Sequence, residues 1–290
     1  MTILSIKNLS KTYKNHCVLK NIDLHIDSPG IWALVGPNGS GKTTFLNTIT
    51  NLLPSTSGKI ELVGKPNTDT DVFKEVSFLQ DNTVLFDYLN GYDHLKYICD
   101  VQGINKKRIH EVAKYVGMEH YIKKRVGNYS LGMKQHLLLA MAIINKPKLL
   151  LLDEPLNGLD PTSAILVRKI LIELAESGTT ILLSSHNLAE IDRVTSQILF
   201  LKNGELIEEN MQSYETIYYY FEVNDKFHAL RMLEELNYTV EQFENGLKVN
   251  LGNYQLQSLL DELKAAEITI LDMYKEVAGS EKRYEELFEV

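Results

Sequence analysis

The chain has 290 residues, enough for one large domain and a small one, with 44% hydrophobic and 23% charged residues, values ordinary for a soluble globular protein. No run approaches the roughly 18 consecutive apolar residues of a membrane span, and the opening Met1-Thr2-Ile3-Leu4-Ser5 lacks the basic start and long apolar stretch of a signal peptide. The net charge of −8 is uneven: residues 205–290 hold 19 acidic and 7 basic side chains, against 19 acidic and 23 basic in residues 1–204. This break points to two domains, and the acidic C-terminal part argues against nucleic acid as a partner. Cys17 and Cys99 make neither a disulfide framework nor a metal spacing and read as reduced, buried thiols of a cytosolic protein.

Along the chain, residues 4–9 and 18–26 alternate as antiparallel strands do, with Tyr13-Lys14-Asn15 as the turn between them. Residues 30–35 form a short apolar run that enters a glycine-rich stretch and then a helix at 42–51. A turn at 54–58 precedes strands at 59–63 and 75–79. From about 81 to 145 the pattern turns helical, with apolar residues three to four apart at 92–101, 106–116 and 131–145. Strand and helix then alternate: 149–153, 161–177, 179–184, 189–194, 198–202. Such alternation predicts a mostly parallel sheet with helices on its faces. After Asn203-Gly204 the register changes. A strand at 214–223, a helix at 226–236, a hairpin at 238–243 and 247–251 around Asn245-Gly246, a helix at 254–266, a strand at 268–273 and a helix at 280–288 predict a small ferredoxin-like unit.

Gly36-Pro37-Asn38-Gly39-Ser40-Gly41-Lys42-Thr43, followed by Thr44, fits G-x-x-x-x-G-K-[ST] between a predicted strand and a predicted helix. Glycines let backbone N–H groups curl around phosphate oxygens, and the helix N-terminus adds favourable partial charge. Lys42 reaches the β- and γ-phosphates, and the Thr43 hydroxyl ligates Mg²⁺. Downstream, Lys148-Leu149-Leu150-Leu151-Leu152-Asp153-Glu154-Pro155 is an apolar strand that delivers two carboxylates to the sheet edge where ligands sit. Asp153 is expected to hold Mg²⁺ through water, and Glu154 to act as general base on the attacking water.

Tyr129-Ser130-Leu131-Gly132-Met133-Lys134-Gln135, about twenty residues before Asp153-Glu154, resembles the signature sequence of ATP-binding cassette (ABC) proteins. Ser130 can cap the helix that follows and meet an anion at its positive end. The resemblance covers about residues 1–211. It implies that Gln80 is the Q-loop residue and His186 the switch histidine, both contacting γ-phosphate, Mg²⁺ or the lytic water from the same side as Glu154, that Leu156-Asn157-Gly158-Leu159-Asp160 is the D-loop, and that Tyr13 stacks on adenine. It also implies a head-to-tail dimer, each ATP lying between the 36–44 loop of one subunit and Ser130 and Gly132 of the other. Tyr129, Leu131 and Met133 depart from the common signature, and His136 stands where an arginine is common, which puts an interfacial ion pair in doubt. The implied fold is α/β: a P-loop NTPase cassette at 1–211, with a mostly parallel sheet, an antiparallel β part and a helical subdomain at about 81–145. A small α+β ferredoxin-like domain follows at 212–290.

The signature variant and residues 85–95 are similar to ATPases of bacterial bacitracin-resistance and lantibiotic-immunity exporters, a group in which phenol-soluble modulin export is one possibility. The resemblance implies an ATP- and Mg²⁺-dependent enzyme on the inner face of the membrane, paired with a second ATP-binding subunit, a homodimer by expectation. It implies that the membrane path belongs to a separate transmembrane subunit; Phe86, Tyr88 and Leu89 lie where the family receives a coupling helix, with core packing of the helical subdomain as the alternative. A cytosolic ABC ATPase outside transport is the competing class. Its chromosome-associated form needs a long heptad insertion between Lys42 and Ser130, and none is present.

Overall fold

The computed structural model describes residues 2–211, 216–243, 246–251, 254–278 and 280–288. Two compact units divide the chain, Met1–Glu209 and Asn210–Val290.

In the first unit, β1 (Leu4–Tyr13), β2 (His16–Ile26), β4 (Ser57–Leu62) and β5 (Lys65–Pro66) form an antiparallel sheet in the order β2-β1-β4-β5. A second sheet has the order β10-β9-β3-β8-β7-β6, built from β3 (Gly30–Val35), β6 (Val76–Leu79), β7 (Leu149–Leu152), β8 (Thr180–Ser185), β9 (Gln197–Lys202) and β10 (Glu205–Asn210). The pairings of β3 with β8 and β9, of β7 with β8 and of β6 with β7 are parallel. Strands of this kind are covered on both faces, hence the unbroken apolar run of β7, which is wholly buried. Helix α1 (Lys42–Ile49) places Phe45, Leu46 and Ile49 in one buried cluster with Leu4, Ile6 and Leu9 of β1 and Leu34 of β3. The helices α2 (Gly91–Gln102), α3 (Lys107–Tyr115) and α4 (Leu131–Ile143) pack on one another, and α4 also meets β6. Helices α5 (Pro161–Glu176) and α6 (Leu188–Ile191) follow β7 and β8.

Three expectations for this unit need correcting. The turn is Lys14-Asn15, and Tyr13 ends β1, because the strand continues past residue 9 through irregular register. Asn203-Gly204, both at positive φ, joins β9 to β10 as a hairpin turn rather than ending the sheet. The acids of β10 obscure it in the sequence, since an edge strand carries charge freely. Cys99 is buried, but Cys17 is only half-buried, its thiol donating to the Leu19 carbonyl at 3.2 Å.

The second unit runs β11 (Thr216–Val223), α7 (Lys226–Glu235), β12 (Thr239–Phe243), β13 (Gly246–Asn250), α8 (Leu256–Ala265), β14 (Ile270–Ala278) and α9 (Ser280–Phe288). Its antiparallel sheet has the order β12-β13-β11-β14, so α7 and α8 each cross over one intervening strand, as in the ferredoxin-like topology. Ala229 and Leu233 of α7 and Leu259 and Leu263 of α8 close the core on Phe221, Leu247 and Val249. β14 extends past residue 273 because its polar end still pairs with β11, Tyr274 opposite Tyr220. Tyr214, the expected start of the first strand, and Asn245, expected in the hairpin turn, lie outside the described residues. Among the described residues no helix is long and apolar enough to cross a membrane.

Phe221 is among the largest fully buried side chains. Phe221→Ala is expected to destabilise the C-terminal unit by about 3–5 kcal/mol, from lost burial and the cavity left behind. Denaturant unfolding of the full chain followed by fluorescence checks the size of the loss.

Candidate functional site

The loop after β3 is shaped by close approaches. A Cβ on Gly36 would lie 2.7 Å from Ser40 Oγ and 2.8 Å from the Leu201 carbonyl oxygen. Gly41, at φ 106°, stands before α1 in the left-handed region. No side chain caps α1 and no acid occupies its first turn, so its leading N–H groups and positive end suit an anion. Lys42 is 7% exposed, and its ammonium donates to the carbonyls of Gly36 (2.7 Å) and Pro37 (3.3 Å). Burial pushes its pKa down, and the carboxylates of Glu154 and Asp153 push it back up.

Parallel pairing brings the C-terminal ends of β3, β6, β7 and β8 to one edge of the sheet, the edge where ligands bind in such folds. From β7 come Asp153 and Glu154, from β8 His186, from β6 Gln80. Glu154 Oε1 is 3.9 Å from Lys42 Nζ, and Glu154 Oε2 is 3.0 Å from His186 Nδ1. The Ser184 hydroxyl donates to Asp153 Oδ1 and its oxygen accepts the Glu154 N–H at 2.9 Å. Glu154 has φ 50°, a conformation that costs about 1–3 kcal/mol in a non-glycine residue. Ser184 therefore braces both carboxylate residues. In the sequence, only its place two residues before His186 on a buried strand marks Ser184.

A cavity of about 650 Å³ is lined by Asn38, Gly39, Gly41, Lys42, Thr43, Thr44, Glu154, Asn157 and His186. Most of the expected phosphate-site residues thus converge. Gly36, Pro37 and Ser40 build the loop behind it, the Ser40 N–H donating to the Pro37 carbonyl at 3.1 Å. Tyr13 is exposed at the end of β1 with the Lys11 ammonium 4.8 Å from its ring centre, and the same hairpin lines the cavity with His16 and Val18 instead. Gln80 is half-buried, its amide donating to Asn47 Oδ1 at 3.3 Å.

Ser130, Gly132 and Asp160 gather at a second place, where α4 and α5 begin. Ser130 caps α4 by accepting the Met133 N–H at 3.2 Å, and Asp160 caps α5 by accepting from Thr162 and Ser163. The hydrogen bonds from Ser163 hold the Asp160 carboxyl below its ordinary pKa. Tyr129 is buried, edge-on to Tyr121, its hydroxyl donating to the Tyr121 carbonyl at 2.9 Å. His136 is half-buried with Nδ1 3.0 Å from the Tyr121 hydroxyl, so its side chain belongs to the packing of α4. Gln135 links α4 to the strand exit, its amide donating to the Pro155 carbonyl at 2.8 Å.

A phosphate-binding loop on a parallel sheet, with an acid pair and a histidine on the neighbouring strand ends, defines a P-loop nucleotide-binding protein. The ABC transporter family model matches residues 19–157. A lantibiotic transport ATP-binding protein of Streptococcus pyogenes, SrtF, is 37% identical over 207 residues, 71% of this chain and 90% of that protein. The bacitracin transport ATP-binding protein BcrA of Enterococcus faecalis is 35% identical over 241 residues, 80% of this chain and 78% of that one. Among solved structures, the cassette MJ0796, in a dimeric post-hydrolysis state bound to ADP and Pi, superposes with a TM-score of 0.66 at 26% identity, covering 72% of this chain and 98% of its own. The chain belongs to the ATP-binding subunits of the ABC transporter family and is an ABC-type ATPase.

Burial also makes a pH prediction. Desolvation holds His136 below its ordinary pKa of 6.5, with Asp160 opposing. The unfolded chain takes up a proton near pH 6.5 that the folded chain refuses until lower pH, so the unfolded state binds more protons and stability falls with acidification. Between pH 7 and pH 5 the wild type should lose more stability than His136→Phe, measured by urea unfolding at each pH.

Proposed function

We propose that this chain is the ATPase subunit of a bacterial exporter of peptides, toxins or antimicrobials, working as a homodimer against a separate transmembrane subunit on the cytoplasmic face of the membrane. The observation that carries the catalytic part of this reading is the convergence of Lys42, Glu154 and His186 on one cavity at the sheet edge. The cargo class rests on the names of the relatives, a lantibiotic and a bacitracin transport protein. Within that class, phenol-soluble modulins are one cargo to test.

Lys42 trades its loop carbonyls for phosphate oxygens when ATP enters, so the buried ammonium gains a full counter-charge. Glu154 accepts the proton of the attacking water, and His186, in contact with the same carboxylate, orients the γ-phosphate side of the reaction. Mg²⁺, when bound, supplies charge neutralisation at the β- and γ-phosphates. The residues fit it: Thr43, Asp153 and Gln80 offer hard oxygen ligands, and among the described residues no group of three or more acids, histidines or cysteines could cage a metal alone. Mg²⁺ suits such sites because it binds through one or two carboxylates together with substrate phosphates. Ser130 and Gly132, with Asp160 beside them, would close over the ATP of the second subunit, and Tyr13 would stack on adenine.

The docking reading is supported by Tyr88, 70% exposed, beside an exposed Phe86. Phe86 is held from behind by His94, whose Nε2 accepts the Phe86 N–H at 3.0 Å. Residues 212–290 are proposed as a separate appendage for dimer contact or regulation. Their acidity would be repelled by an anionic leaflet and by nucleic acid. Co-purification with a membrane protein tests transport against a free cytosolic role.

Two variants separate binding from chemistry. Lys42→Ala should lose nucleotide affinity, whereas Glu154→Gln should keep it and lose about 10²–10⁴-fold in turnover. Near-normal turnover in Glu154→Gln would remove Glu154 as the base; fluorescent-ATP binding and phosphate release measure the two effects.

Ser130→Arg should bind ATP yet fail to form the ATP-dependent dimer that Glu154→Gln accumulates. Sedimentation with and without ATP reads this directly, and dimers persisting in the double variant contradict a shared site.

A further inference from the structure

The Glu154–His186 pair bridges two separate loops. One leaves β7 and enters α5; the other leaves β8 and enters α6. His186 is 44% exposed, so little packing fixes its ring, and its orientation depends on the backbone that follows it. That backbone enters α6, a single turn of four residues, too short to hold its own geometry.

Several contacts hold it. The Asn187 N–H donates to Ser185 Oγ at 3.0 Å, and Asn187 Oδ1 accepts the Glu190 N–H at 3.3 Å. Ile191 is fully buried. The remaining anchor reaches across to the other loop's helix: Arg168 of α5 donates to Glu190 Oε2 at 2.5 Å, while Arg193 lies 3.4 Å from Glu190 Oε1. Arg168 is 14% exposed and Glu190 20%, so their bond is shielded from water and charge-assisted at both ends. The two sides enclose a cleft of about 360 Å³, with Glu154 and His186 among its lining residues and Arg168, Glu190 and Arg193 among the others. Glu154 and Arg168 thus belong to one strand–loop–helix segment, His186 and Glu190 to the next. The bond between Arg168 and Glu190 closes the ring that their contact opens.

We propose that Arg168 is a positioning residue for the reaction: through Glu190 and the turn at Asn187 it sets the direction of the His186 ring toward Glu154. This rests on the reading of Glu154 and His186 as the catalytic pair. A purely structural bridge would affect stability without regard to His186. A positioning bridge acts on turnover through His186 and through nothing else.

The test uses the full chain with Mg²⁺ and ATP. Arg168→Met, which keeps most of the side-chain bulk, should lower kcat about tenfold and leave the KM for ATP within about twofold, because the phosphate loop is untouched. The reversed pair, Arg168→Glu with Glu190→Arg, should recover at least half of the loss. In ¹⁵N-histidine-labelled protein, the His186 Nδ1 signal should shift in Arg168→Met and return in the reversed pair. In a His186→Ala background, Arg168→Met should cost no further turnover. An unmoved His186 signal, or an equal tenfold loss added to His186→Ala, overturns the proposal. Full turnover in His186→Ala alone removes His186 from the reaction, and with it this role for Arg168. That result differs from a working His186 that is indifferent to Arg168.

Discussion

A buried ammonium is the constraint on which the site depends. Lys42 sits at the first position of α1 with almost no access to water, an expensive place for a charge unless it is paired. Two loop carbonyls, Gly36 and Pro37, accept hydrogen bonds from its N–H groups, and the carboxylates of Glu154 and Asp153 supply opposite charge. The glycine loop, the acid-bearing strand and α1 are therefore tied by one side chain. Each of those partners is short of full compensation: the nearest carboxylate oxygen stands 3.9 Å away. On the proposed reading of Lys42 as a phosphate contact, phosphate oxygens would complete what the protein leaves partial, and desolvation of Lys42 would favour the nucleotide-bound form.

The second constraint is conformational. Glu154 holds a left-handed backbone, which a β-strand exit does not require for its own sake. That turn aims the carboxylate back toward Lys42 and His186, while Asp153, one residue earlier, takes the Ser184 hydroxyl. Consecutive acids on an extended strand would point to opposite faces. The strain at Glu154 lets two neighbouring carboxylates serve one site, and the Ser184 bonds offset part of its cost.

Sequence patterns reveal most of this arrangement because the relevant signals are short-range. The glycine spacing at 36–41, the apolar run at 149–152 and the acids after it each encode a local geometry, and their order along the chain yields the sheet edge they share. The β-α-β-β-α-β succession likewise foretells the C-terminal topology, since crossovers of that length leave few ways to pair the strands. What escapes is whatever depends on partners distant in sequence. β10 looks like a charged tail because an edge strand needs only one apolar neighbour. The Ser184 bridge joins residues thirty or more positions apart, and Arg168 with Glu190 twenty-two apart, with nothing local to mark either. Tyr13 reads as a stacking residue from its place in a pattern, yet its exposure and the nearby Lys11 ammonium follow from how far β1 extends.

The departures of the signature from its common form have a physical reading as well. Tyr129 is core, anchored edge-on to Tyr121, so the change there alters packing inside the helical part rather than the anion site. Leu131 opens α4 in ordinary helical conformation, where no glycine is needed, and its side chain leans over Gly158: a Cβ at Gly158 would stand 2.8 Å from Leu131 Cδ2. Gly132 is the closely packed position: a Cβ there would lie 2.9 Å from Ser163 Oγ and 3.3 Å from Asp160 Oδ2, so those side chains would have to turn aside. The signature is thus fitted against the loop that follows Glu154 in its own chain. Any movement of Ser130 toward a ligand is constrained by Asp160 and Gly158, and through them by the strand exit that carries the acid pair.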